Sequence, residues 1–149
     1  MKRLLTLTAA LFLTVAAHSQ IMKPVTWSYG AKKTSATEAT VFIKATIADG
    51  WHVYSQNVKE GGPVKTTFTF TPSPAYTLIG KTIEPKGVTK FEDTFSMNVT
   101  YFVKSVIFQQ KIKLKPGKAA VVKGKFEYMT CDDKQCLPPE EVEFSIPVK

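Results

Sequence analysis

The chain has 149 residues, 44% of them hydrophobic, with 20 Lys and Arg against 12 Asp and Glu for a formal net charge of +8. That length suits one domain with a real core. The lysines are scattered rather than clustered with aromatics, which argues against a nucleic-acid surface and says little beyond solubility.

Lys2 and Arg3 open the chain, and Leu4 to Ala17 form an uncharged apolar run. Ala17-His18-Ser19-Gln20 then places small residues at the −3 and −1 positions for cleavage after Ser19. This layout predicts a cleaved secretory signal over residues 1–19. The run is shorter than the ~20 residues of a spanning helix and has no successor, so the chain is not expected to be membrane-embedded. No cysteine lies in the signal to carry a lipid. The mature part, residues 20–149, is expected to be a single exported domain.

Strand periodicity follows. Val41, Ile43, Ala45 and Ile47 alternate with Phe42, Lys44 and Thr46, and Phe68 and Phe70 alternate with threonines. Ile112 and Leu114 alternate with lysines, and Val142, Phe144, Ile146 and Val148 alternate with Glu143, Ser145 and Pro147. A period of two predicts half-buried antiparallel strands. Turn signals separate them at Asp49-Gly50, Gly61-Gly62-Pro63, Pro72-Ser73-Pro74, Pro116-Gly117 and Pro138-Pro139. Val99, Tyr101 and Val103 fall on odd positions, whereas Phe108, Ile112 and Leu114 fall on even ones. That phase change predicts a bulge or corner near Lys104–Val106. The fold expected is all-β, an immunoglobulin-like antiparallel β-sandwich, with an up-and-down barrel as the alternative.

The mature chain has two cysteines, Cys131 and Cys136, in Cys131-Asp132-Asp133-Lys134-Gln135-Cys136-Leu137-Pro138-Pro139. In an exported protein the expected state is one disulfide. Closing so short a loop constrains the unfolded chain by about 2 kcal/mol, against about 4.7 for a loop near one hundred residues. Stability is therefore a poor reason for this bond. Pro138 and Pro139 donate no backbone hydrogen bond, which places the pair on or beside an accessible loop. Asp132 and Asp133 disfavour a thiolate at Cys131, opposed in part by Lys134. A closed zinc site needs four ligands, and the mature chain supplies two cysteines and His52. A thioredoxin-like site needs a two-residue spacing and a βαβ pattern, both missing. A cysteine hydrolase with His52 as base would leave the second cysteine idle. No metal or cofactor is implied. Two readings stay open: a redox pair that exchanges with a partner's thiols, and a non-enzymatic secreted binding module with a structural disulfide.

The element Cys131-x4-Cys136-Leu137-Pro138-Pro139-Glu140 near the end of a secreted β domain resembles the N-terminal periplasmic domain of the thiol:disulfide reductase DsbD. Asp49-Gly50-Trp51-His52-Val53-Tyr54 is similar to that family's Asp-Gly followed by aromatics. Phe91-Glu92-Asp93-Thr94-Phe95 is similar to its acidic segment ending in a phenylalanine, the cap loop over the disulfide. The resemblance implies an immunoglobulin-like sandwich that carries electrons through Cys131 and Cys136. It implies Phe95 as a lid with Asp93 beside it, His52 and Tyr54 near the pair, and Cys136 as the cysteine attacked first. It also implies thioredoxin-like periplasmic oxidoreductases as partners and a membrane electron donor on a separate protein. Two departures stand out. Four residues separate the cysteines where a family member has five, and His52 stands where a tyrosine is expected, adding a titratable group.

Overall fold

From Ser105 to Leu114 every second residue is buried and its neighbours exposed, the alternation of a strand with one wet face. Phe108 and Ile112 point inward, and Lys111 and Lys113 outward. Gln110 also points inward, where an unpaired amide would cost about 1–3 kcal/mol. Its Nε2 donates to Lys111 O (2.9 Å) and Ile79 O (3.2 Å), and its Oε1 accepts from Thr82 Oγ1 (3.0 Å). The core tolerates the residue because the amide is satisfied.

The computed structural model describes residues 22–149, so the signal expected over residues 1–19 lies outside the described residues. Its regular elements are eleven strands: β1 Val25–Lys33, β2 Glu38–Ile47, β3 His52–Tyr54, β4 Thr67–Phe70, β5 Tyr76–Ile83, β6 Val88–Glu92, β7 Met97–Phe102, β8 Ser105–Leu114, β9 Ala120–Tyr128, β10 Thr130–Cys131 and β11 Glu140–Val148. They form three antiparallel sheets, ordered β1-β2-β8-β5, β11-β9-β4 and β10-β3-β7-β6. None of these orders closes on itself, so the arrangement is the expected immunoglobulin-like sandwich rather than a barrel.

Packing joins the first two sheets face to face. Trp27 on β1 meets Phe126 on β9 with ring centroids 4.3 Å apart, and Phe68 on β4 meets Phe108 on β8 at 4.9 Å. Val41, Ile43, Val122 and Ile146 fill the space between them, each with at most 2% of its surface exposed. Burying a side chain of this size contributes about 1.5–3 kcal/mol of transfer free energy. Sheet β10-β3-β7-β6 continues the second layer, since only Met129 separates β9 from β10. Val53 and Phe102, paired across β3 and β7, turn into the same core.

The chain turns a corner where one was expected. Lys104 has φ = +64°, its carbonyl accepts from Ile47 N (2.8 Å), and β7 of one sheet gives way to β8 of another. The phase change itself has a different cause. Phe102, Val106 and Phe108 share one parity and one core, so no flip separates them. Val99 and Tyr101 face the other side of β7, where they join Tyr54 and Cys131 in a second, smaller cluster. The short sheet is apolar on both faces, and its outer face builds the site. Val103, the third residue of that odd series, is 44% exposed.

Candidate functional site

Cys131 ends β10 and stands opposite His52 on β3, while Thr130 stands opposite Val53. Thr130 Oγ1 donates to His52 O at 2.8 Å and holds the two short strands in register. Beyond Cys131 the chain reverses at once. Asp132 N donates to Gln135 O (2.9 Å), and Asp132 Oδ1 accepts from the backbone N–H groups of Lys134 (2.8 Å) and Gln135 (2.7 Å). An aspartate at the start of a turn makes this local bond readily. Those two donors hold the Asp132 carboxyl below its ordinary pKa.

The return limb brings Cys136 back across from Cys131, with 4.0 Å between their Cα atoms and a disulfide joining them. Leu137 N closes the hairpin on Thr130 O at 2.9 Å. Pro138 and Pro139 then carry the chain out of the loop without donors to satisfy. Glu140 opens β11 and accepts from Tyr128 Oη at 2.9 Å, which ties the far end of the loop to β9. Cys131 is 1% exposed, whereas Cys136 is exposed.

Over the pair lies the hairpin of β6 and β7. Its tip runs from Asp93 to Ser96, with Phe95 N donating to Glu92 O (3.1 Å) and Ser96 N to Asp93 O (3.2 Å). Ser96 takes φ = +51° to complete the turn. Phe95 is half-buried and packs on the cluster of Tyr54, Val99 and Cys131. Between hairpin and loop opens a cleft of about 590 Å³.

His52, Tyr54, Phe95, Cys131 and Cys136 all line this cleft. Asp93 does not: it is exposed at the hairpin tip, and Glu92, one residue earlier, is the carboxylate that faces the site. Tyr101 and Lys90 also line it and were not singled out from the sequence. The odd series Val99–Tyr101 was the available signal, and it read as a displaced core phase. Trp51 packs on the main core instead of the site.

His52 and Tyr54 touch through Nε2 and Oη at 3.1 Å, and the His52 ring lies 4.5 Å from that of Tyr101. Burial lowers the His52 pKa, against the opposing pull of Glu92, Asp133 and Asp132. Burial, then the Glu92 charge, pushes Tyr54 up to about 12. Among the described residues no group of three or more His, Cys, Asp and Glu side chains could hold a metal ion, and no helix is long and apolar enough to cross a membrane.

Fold and site together define an immunoglobulin-like sandwich that carries a short-loop disulfide beneath a hairpin cap. The chain belongs to the family described as thiol:disulfide interchange protein DsbD, N-terminal, whose model matches residues 19–147. Three solved structures share its fold. The N-terminal domain of DsbD from Neisseria meningitidis in the reduced form is 20% identical, with a TM-score of 0.52 over 80% of this chain and 83% of that one. The DsbD N-terminal domain in a complex with the PilB N-terminal domain, from the same organism, is 17% identical, with a TM-score of 0.56 over 85% and 87%. The N-terminal periplasmic domain of ScsB from Proteus mirabilis is 19% identical, with a TM-score of 0.59 over 85% of this chain and 47% of that one. The search of curated proteins gave no significant match. Membership of this family, with a disulfide in the cleft, assigns the chain to thiol–disulfide interchange in general.

Proposed function

We propose that residues 1–19 export the chain and that residues 20–149 act in the periplasm as a thiol–disulfide interchange domain, a protein-disulfide reductase. It passes two electrons between thioredoxin-like partners through Cys131 and Cys136. One observation carries this reading: the bonded cysteines differ sharply in exposure, with Cys136 open in the cleft and Cys131 buried behind it. A donor's thiolate attacks Cys136 Sγ, the S–S bond breaks, and Cys131 Sγ leaves with the electron pair. The donor's second thiol then resolves the mixed disulfide and frees the reduced pair. In the forward direction the Cys136 thiolate attacks a client's disulfide. Cys131 then attacks Cys136 Sγ and releases the client reduced. Phe95 covers the pair against unrelated thiols. The fold shared with a DsbD domain in complex with PilB supports protein clients. The electron donor is linked to the membrane.

Reduced protein mixed with an oxidised thioredoxin-like probe tests this. Thiol counting should show transfer to the probe. The Cys131→Ser variant should accumulate a mixed disulfide, and Cys136→Ser should transfer nothing. A Cys136→Ser protein that still reduces the probe would overturn the assignment.

A further inference from the structure

Closing the disulfide requires Cys131 to lose its thiol proton, and its surroundings oppose that. The residue is 1% exposed, and Asp132 and Asp133 follow it directly. Burial and adjacent carboxylates both favour the neutral thiol over the thiolate. A thiol so placed needs a proton acceptor beside it.

His52 carries the one imidazole among the described residues, and it stands directly opposite Cys131 in the β3–β10 ladder. Opposed residues of an antiparallel pair share a face, with Cβ atoms about 4.5–5.5 Å apart. Sharing that face allows an imidazole nitrogen to meet the thiol directly or through one water. The ring is held in place by Tyr54 Oη at 3.1 Å from Nε2 and by Tyr101 at 4.5 Å. In the tautomer whose Nε2–H donates to Tyr54 Oη, Nδ1 keeps its lone pair to accept a proton.

We propose that His52 accepts the Cys131 proton when the disulfide closes and returns it when the bond opens, an inference that rests on the interchange reading above. In closure Cys131 Sγ–H gives its proton to His52. The thiolate attacks Cys136 Sγ in the mixed disulfide, the new S–S bond forms, and the client's sulfur leaves with the electron pair. That leaving thiolate, or water, takes the proton from the imidazolium. Opening runs the same steps backwards.

The groups facing His52 are Tyr54 on its own strand, Tyr101 on β7, Lys90 and Glu92 on β6, and Asp132, Asp133 and Lys134 in the cysteine loop. Burial outweighs the three carboxylates and lowers the His52 pKa, and Lys90 acts in the same direction. The ring is therefore neutral at pH 7, the form that accepts a proton.

The test uses reduced protein and dithiobis-nitrobenzoate. The first equivalent of thionitrobenzoate reports attack by the exposed cysteine. The second reports closure by Cys131. His52→Phe keeps a ring against Tyr101 and should slow closure at pH 7 by at least about tenfold, with the first step unchanged. Wild-type closure should show an inflection below pH 7, and the variant should show only the rise set by the thiol itself. Added imidazole should restore part of the lost rate in His52→Ala. Closure of His52→Phe at the wild-type rate with the wild-type pH profile would overturn the inference and leave the interchange reading intact. A wild-type protein that releases only one equivalent would overturn the interchange reading, and this inference with it.

Discussion

Cys131 is 1% exposed and its bonded partner Cys136 is exposed, although only five positions separate them. The difference arises because Cys131 is the last residue of β10, held against β3, while Cys136 lies on the return limb of the hairpin. A short loop thus presents one sulfur and hides the other.

Such a bond contributes little to stability. The six-residue loop it closes is worth about 2 kcal/mol in the unfolded chain, so the reduced protein should keep its fold and lose no more than about 10 °C of thermal midpoint. Equilibration in glutathione or dithiothreitol buffers should place the potential between about −180 and −270 mV, the range of exchange proteins. A value well below about −300 mV, with a clearly less stable reduced form, would make the bond structural and favour a binding module.

Phe95 caps the cluster from the hairpin tip and is half-buried there. Phe95→Ala should cost less than the roughly 3–5 kcal/mol of a fully buried phenylalanine. Its larger effect should be on access, with reduction of the disulfide by dithiothreitol several-fold faster than in the wild type. Stopped-time alkylation of the released thiols reads the rate. An unchanged rate with lowered stability would make Phe95 a packing residue alone.

Two tyrosines make the protein sensitive to alkali. Burial pushes both Tyr54 and Tyr128 up to about 12. An unfolded tyrosine ionises near about 10, so between these values the unfolded chain loses protons that the folded chain keeps. The stabilisation from keeping these phenols neutral is fully present below pH ~10 and is lost as pH rises towards ~12. Denaturant midpoints from pH 8 to 12 should stay flat and then fall, and Tyr54→Phe should reduce the fall. Absorbance near 295 nm should show the two phenols titrating late.

Much of the fold was legible in the chain. The alternation of Val41–Ile47, Ile112–Leu114 and Val142–Val148 depends only on neighbours two positions apart, and each run is a strand with the expected inner face. Asp49-Gly50 and Pro116-Gly117 marked turns in which both glycines take positive φ, at +82° and +70°. The corner at Lys104 was also visible, although the phase change that marks it comes from the two apolar faces of β7. One strand cannot announce that both its faces are apolar for different reasons, which is the case for β7, with Phe102 in the core and Val99 in the site.

By itself the sequence determined the strand pattern and the cysteine pair in its short, proline-ended loop, because those are local features of composition and spacing. The tertiary structure decided the rest of the site. Thr130 binds His52 across 78 positions of chain, and no local pattern sets that register. Register is what brought His52 opposite Cys131 and placed Tyr101 beside it, while the hairpin turned Glu92, rather than Asp93, into the cleft. A one-residue slip would send each of these side chains to the opposite face, and only the packing of both faces at once prevents it.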